Sequence, residues 1–253
     1  MRSVYDSPNS VGLYLGRVWP LLVAVAVLGE RKRRRVLYAL ALAPVTLALG
    51  LSFSRGALLL GLPAALLVMG WWVGGRYRWA AVAIVAAGGL ALVPLMRVAR
   101  FAALLDLQEG STFFRLKLWH SSLTLLREHP WFGVGPGNFL DAYRTRYVLP
   151  SAWEEFNLGH PHNIWLDHWA RLGVLGLLAG VATQIVFWRE AVAAREDPAT
   201  RASSLQIGLA GSMAVLLAHG LVDNPLFYPD LAVAFFLTLA LVRSRSYSPL
   251  VEP

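Results

Sequence analysis

The stretch Val36–Val73, VLYALALAPVTLALGLSFSRGALLLGLPAALLVMGWWV, decides the fold. Its only charge is Arg55. One helical crossing of a bilayer takes about 20 apolar residues, so this run is too long for one helix and suits two. The turn between them has to fall at Ser52-Phe53-Ser54-Arg55-Gly56, because a guanidinium at mid-bilayer is costly. That turn puts Arg55 at a membrane surface.

The rest of the chain agrees. Of its 253 residues, 57% are hydrophobic and 15% charged, whereas soluble domains carry about 25% charged residues. Mean hydropathy is +0.52. Further apolar segments near 11–29, 79–96, 164–188, 204–222 and 226–242 join 36–53 and 56–73 to make about seven predicted crossings. The expected fold is all-α, a polytopic membrane helix bundle forming a single membrane domain over 1–253. The absence of cysteine excludes disulfides and thiolate metal sites. The net charge of +8 does not point to nucleic acid, because the basic residues sit mostly between the apolar runs, as loop anchors do.

Those anchors orient the chain. Arg31-Lys32-Arg33-Arg34-Arg35, Arg76 with Arg78, Arg189 with Arg195 and Arg201, and Arg243 with Arg245 share one face if the segments alternate. Positive loops mark the cytoplasm. The extracytoplasmic face then receives Ser54-Arg55, a long loop of about 97–163, and Asp223-Asn224-Pro225. Within that loop, Leu116, Trp119, Leu123 and Leu126 recur at helical spacing, with Ser111 or Thr112 as a helix cap. This predicts an amphipathic helix on or near the membrane surface. His129-Pro130 ends it, Gly133 to Asn138 makes a compact turn, and Phe139–Phe156 continues as a short helix and loop.

The polar residues with chemical potential gather on that outer face. Pro161 suits the first turn of a helix, which places His162 and Asn163 where free N–H groups and the positive dipole end disfavour an imidazolium. A neutral His162 can accept a proton near pH 7. His160 and His162 also read as a His-x-His metal pair, with Asp167, His168 or Asp141 as completions, but their spacing shows no convergence and no metal is expected. Arg55, always charged and fork-shaped, suits a diphosphate headgroup. Arg115, with Lys117 and Arg127 nearby, suits lipid headgroups. Arg144 and Arg146, flanked by Tyr143 and Tyr147, fit either a sugar or phosphate contact or a solvated helix face. Gly133, Gly135 and Gly137 follow no strand and are no nucleotide loop. Asp167 and Arg171 are spaced to pair on one helix, and His219 reads as a packed interior residue.

Taken together, these pieces resemble the O-antigen ligase and polymerase superfamily of bacterial membrane glycosyltransferases. One family pattern is His, then Asn, Ser or Gln, nine residues, Gly, two residues, then Gly, Thr or Tyr. His162-Asn163, residues 164–172 and Gly173-Val174-Leu175-Gly176 fit it throughout. The turn Ser54-Arg55-Gly56, the stretch Arg115–Trp119, the run His129–Gly135 leading to Asn138-Phe139, and Asp223-Asn224-Pro225 are also similar. The resemblance covers about residues 8–242. Family members usually have ten to twelve membrane helices, so the chain resembles their C-terminal half and is expected to be a fragment or to need an N-terminal-half partner chain. Many members carry Glu where Arg171 stands.

The resemblance implies transfer of a glycan from undecaprenyl-diphosphate to a hydroxyl of an acceptor lipid or glycan, in the bacterial cytoplasmic membrane, at its extracytoplasmic face. His162 would be the base, and Arg55 and Arg115 would hold the diphosphate in place of a metal. Ser54, His160, Asn163, Arg144 and Arg146 are the expected substrate contacts. The expected partners are the donor, the acceptor and membrane lipids, with no cofactor. The alternative is a non-catalytic membrane module, as a truncated fragment, an assembly scaffold or a transporter half. Transporters place ionisable residues at mid-bilayer in broken helices, whereas these residues map to the outer surface.

Overall fold

The computed structural model describes residues 8–95, 110–196 and 203–243. Arg201, Arg245 and the start of the outer loop at 97–109 lie outside the described residues. Among those described, the regular structure is helical throughout. Five helices are long and apolar enough to cross a membrane, and Ser204–Gly220 and Pro229–Val242 are shorter apolar helices. The chain forms two compact units, Met1–Val85 with Ile185–His219 and Pro225–Pro253, and Ala86–Gln184 with Gly220–Asn224.

The first unit holds α1 (Pro8–Leu28), α2 (Lys32–Ser52), α3 (Leu62–Val73) and the start of α4 (Gly75–Leu95). Arg55 lies between α2 and a π-helical turn, Gly56–Gly61, that runs into α3. The corner falls where the lone charge demanded it. Phe53 closes α2 in the left-handed conformation (φ 50°) and donates its N–H to Gly50 O. Ser54 is buried, and its hydroxyl donates to Asn9 Oδ1 at 3.3 Å. The π turn begins at Gly56 because there is no room for more: a Cβ there would strike the His219 ring.

The same unit includes α8 (Ser204–Gly220, through His219) and α9 (Pro229–Arg243). Ala24, Ala65, Met69, Ile207 and Val215 form its core. Small residues let the helices close up, as is common between membrane helices; a Cβ at Gly211 would meet Pro20 and Met69. α2 leaves Leu40 and Leu47 exposed, the condition of a helix whose solvent is lipid. Deep in α1, the Arg17 guanidinium is buried and donates through Nη1 to Leu231 O at 2.9 Å.

The second unit is built on the outer-loop helix α5 (Gly110–Glu128). Leu118, Leu125 and Leu126 pack with Phe139, Tyr143, Tyr147 and Ala170. Of the spaced set Leu116, Trp119, Leu123 and Leu126, Leu126 belongs to this core. Leu116 and Leu123 are exposed, because two residues along a helix is a turn of about 200° and the loop folds back onto the Leu118 side. They remain free to face a membrane surface. The helix also starts at Gly110, so Ser111 and Thr112 sit in its first turn and do not precede it. After the turn comes α6 (Phe139–Ala142), continued by a π segment Tyr143–Tyr147 and a 3₁₀ turn Pro150–Glu155.

The next helix, α7 (Ile164–Glu196), is interrupted at Gly173, whose φ of 70° and ψ of −171° only glycine adopts freely. An unbroken helix would join Val174 N–H to Ala170 O. Here the rung is replaced from outside: Ala170 O accepts Val134 N–H at 2.8 Å, and Val174 N–H donates to Pro130 O at 3.2 Å. Trp169 Nε1 adds a bond to the same Pro130 O at 2.8 Å. The turn after α5 is thereby welded to the break. It separates a short first piece, 164–172, carrying Asp167, His168 and Arg171, from the apolar piece that starts at Val174. The fifth apolar segment is two helices in series.

Candidate active site

The segment Gly159–Asn163 meets the short loop Gly220–Asn224 within the second unit. Trp119 Nε1 on α5 donates to Pro161 O at 3.0 Å and holds the segment from one side. On the other, Asn163 Nδ2 donates to Leu221 O at 3.0 Å. Asn163 is also the helix cap: its Oδ1 accepts the N–H groups of Trp165 at 3.0 Å and Leu166 at 3.1 Å. α7 thus starts at Ile164, three residues later than a helix led by Pro161 would. His162 lies before the cap, and its φ of 49° is in the left-handed region. Such a conformation is uncommon outside glycine and concentrates at functional positions.

His162 Nδ1 lies 2.9 Å from Asp223 Oδ1, and the histidine side chain is 23% exposed while that of the aspartate is 6% exposed. The carboxylate is shielded and the imidazole is open. An ionised carboxylate only accepts hydrogen bonds, so a neutral His162 carries its proton on Nδ1. Nε2 is left with the lone pair. Asp223 Oδ1 also accepts Asn224 N–H at 2.9 Å, which fixes the carboxylate in turn.

His160 stacks edge-on to His162 with ring centroids 4.2 Å apart. His162 N–H donates to His160 Nδ1 at 3.3 Å. Burial, then the neighbouring His162 and the charges of Arg171 and Arg115, lower the His160 pKa to about 3 against the pull of Asp223. His160 is neutral at working pH. Arg115 is on α5 one turn before Trp119, the residue that holds Pro161. Its Nη1 lies 3.5 Å from Ser111 Oγ. Arg171 Nε pairs with the fully buried Asp167 at 2.8 Å, as their spacing suggested.

Residues 37–181, more than half of the chain, match the protein-family model described as O-antigen ligase. The chain belongs to the O-antigen ligase family. No curated protein matches it in sequence. At family level it is a membrane glycosyltransferase of the O-antigen ligase and polymerase type, whose substrates are a lipid-linked glycan and an acceptor in the membrane.

The O-antigen ligase match takes in Arg55, Arg115, His160, His162 and Asn163, and Asp223 lies beyond it. Of the residues singled out from sequence, the structure brings His160, His162, Asn163 and Arg115 into one neighbourhood. Ser54 and Arg55 belong to the other unit. Arg144 and Arg146 are on the exposed side of the π segment, Arg144 over the Phe156 ring at 5.3 Å and Arg146 paired with Glu128 at 2.8 Å. The partner that sequence reading missed is Asp223. It is 61 residues from His162, and its signals were an Asp-Asn-Pro turn on the expected face of the histidines and that turn's likeness to the family. Of the residues suggested to complete a metal pair, His168 turns its Nδ1 to Ile164 O at 2.7 Å and Asp167 pairs with Arg171. The group that approaches the histidines is Asp223.

Proposed function

We propose that this chain transfers a glycan from undecaprenyl-diphosphate to a hydroxyl of an acceptor lipid or glycan, with His162 as the base. The observation that carries the reading is the 2.9 Å contact between His162 Nδ1 and Asp223 Oδ1. It leaves Nε2 as the proton acceptor of a side chain that is 23% exposed. The acceptor hydroxyl gives its proton to Nε2, its oxygen bonds the anomeric carbon, and the bond from that carbon to the diphosphate breaks. The electron pair leaves with undecaprenyl diphosphate. Asp223 acts through His162, stabilising the imidazolium as it forms.

Diphosphate is a good leaving group and needs no acid. Its charge needs cations, and Arg55 and Arg115 are assigned that role from the resemblance and from guanidinium chemistry. No metal is required by this scheme. The reaction face is read as extracytoplasmic from the sequence pattern alone, in which Arg31–Arg35 and Arg76–Arg78 mark the cytoplasmic loops. Cysteine labelling in intact cells tests it: Ser151→Cys should react from outside and Ser203→Cys should not.

The test of the chemistry is His162→Ala, supplied with any partner chain the protein requires. Transfer should fall about 10²–10⁴-fold with donor binding retained and EDTA without effect. Asp223→Asn should lower kcat at unchanged donor KM. A His162→Ala protein that transfers glycan normally makes the histidine structural.

A further inference from the structure

The cluster at His162 has a second chemical capacity. His160, His162 and Asp223 each offer one ligand atom, and these three atoms lie within 4.8 Å of one another. A tetrahedral ion with bonds of 2.0–2.1 Å draws its ligands to roughly 3.4 Å apart, so closure needs about 1 Å of side-chain movement. The donors come from two ends of the unit that are already tied together by Asn163 Nδ2 to Leu221 O at 3.0 Å. The aspartate is shielded and the histidines are partly open, so an ion has both a fixed floor and an entry path.

The donor set selects the ion. Two imidazoles and one carboxylate suit zinc, cobalt, nickel or copper, whereas magnesium and calcium prefer all-oxygen shells. Three protein ligands also leave a coordination position open, the arrangement of exchangeable and not of closed structural sites.

We propose that His160, His162 and Asp223 form an inhibitory site for a zinc-class divalent cation, which switches off transfer by taking the base. An ion bound at Nδ1 moves the ring proton from that nitrogen to Nε2; an ion bound at Nε2 takes the accepting lone pair directly and leaves the proton on Nδ1. Whichever His162 nitrogen binds the metal, the other carries the one ring proton, so neither can accept a proton from an acceptor hydroxyl. Inhibition, though not binding, rests on the reading of His162 as the base.

Purified full-length protein in lipid nanodiscs separates the two. Cobalt(II) titration should give one equivalent of visible ligand-field absorption, displaced by Zn²⁺ and unaffected by millimolar Mg²⁺. His160→Gln and Asp223→Asn should each weaken cobalt binding at least about tenfold, and size-exclusion profiles show whether each variant is folded. In the transfer assay, Zn²⁺ at saturation should lower the wild-type rate about 10²-fold or more, with full recovery on adding EDTA. Absence of cobalt absorption, or absorption unchanged in both folded variants, overturns the metal site and leaves the base reading standing. Stoichiometric binding with transfer insensitive to Zn²⁺ overturns the inhibition and the base assignment together. Stimulation by Zn²⁺ overturns both the inhibition and the metal-free scheme.

Discussion

Two breaks in the described helical backbone are held in opposite ways. At Ser52–Gly56, the backbone of α2 ends on bonds to its own last turn: Phe53 N–H turns back to Gly50 O, and Ser54 N–H donates to Ser52 Oγ at 3.2 Å, while the Ser54 hydroxyl reaches Asn9. At Gly173 the missing rung is supplied by residues some forty positions earlier in the chain, Pro130 and Val134. The first break is a local corner that turns one apolar run into two crossings. The second is a joint that frees a short helix to carry His162's segment, Asp167 and Arg171 apart from the apolar helix behind it. The helix that leads into the corner has room for change at Gly50, whereas the joint has none at Gly133 or Gly173.

The sharpest way to break that comparison is to add one methyl group. Gly133→Ala and Gly173→Ala would each press a Cβ onto backbone, that of Ala170 and that of Trp131, at φ values of 62° and 70° that disfavour alanine. Each should destabilise the protein by about 3 kcal/mol or more, seen as lost monodispersity or a lower Tm. Gly50→Ala, in the helix that leads to the local corner, meets nothing within 4 Å and should be neutral or stabilising by up to about 1 kcal/mol. Equal losses at Gly50 and Gly173 would erase the distinction.

The corner presents Arg55, and the assignment there depends on shape as well as charge. Arg55→Lys should weaken undecaprenyl-diphosphate binding roughly tenfold, because an ammonium cannot make the paired contact. Wild-type affinity in an Arg55→Ala, Arg115→Ala double variant would remove the diphosphate role from both.

A smaller effect probes the strain beyond the joint. Because His162 is held at φ 49°, His162→Gly should be about 1 kcal/mol more stable than His162→Ala, read as a Tm difference between two proteins that both lack the ring. Alanine equal to glycine would mean that the left-handed turn is not maintained.

The smallest effect concerns the support of α5. The Tyr147 hydroxyl donates to Glu128 Oε2 at 2.6 Å, and burial, then that bond, raise its pKa while the Arg146 charge opposes the rise. A raised phenol stabilises the fold in full below the unfolded value, about 10, and loses that contribution as pH climbs through the folded one. Tyr147→Phe should cost about 1 kcal/mol at pH 7 and flatten the alkaline fall in Tm. An unchanged alkaline limb would show that the bond does not persist in solution.

How far the sequence announced all this follows the same division. The Val36–Val73 run, its corner at Arg55, the helix to Glu128 and the glycine turn were legible because apolar length, helical spacing and His-Pro or Gly signals act over a few residues. The core face of α5 was not, since Leu116 and Leu118 are equally apolar and only the folding back of Phe139–Tyr147 chooses between them. The start of α7 was misplaced because Pro161 is a good first-turn residue, yet Asn163 caps more strongly with two backbone bonds. The histidines were found by their position, whereas the Asp223-Asn224-Pro225 turn was legible but nothing in it named His162 as its partner. Its role exists only once the loop Gly220–Asn224 is clamped to the head of α7.

The central claim is that His162 Nε2 takes the acceptor's proton, held in the required tautomer by Asp223. The most direct measurement is glycan transfer by His162→Gly with and without added imidazole, at matched amounts of folded protein. The rate should fall about 10²–10⁴-fold, and free imidazole should restore part of it while leaving His162→Ala at a lower level of rescue. A His162→Gly protein that transfers glycan at the wild-type rate without imidazole would contradict the account.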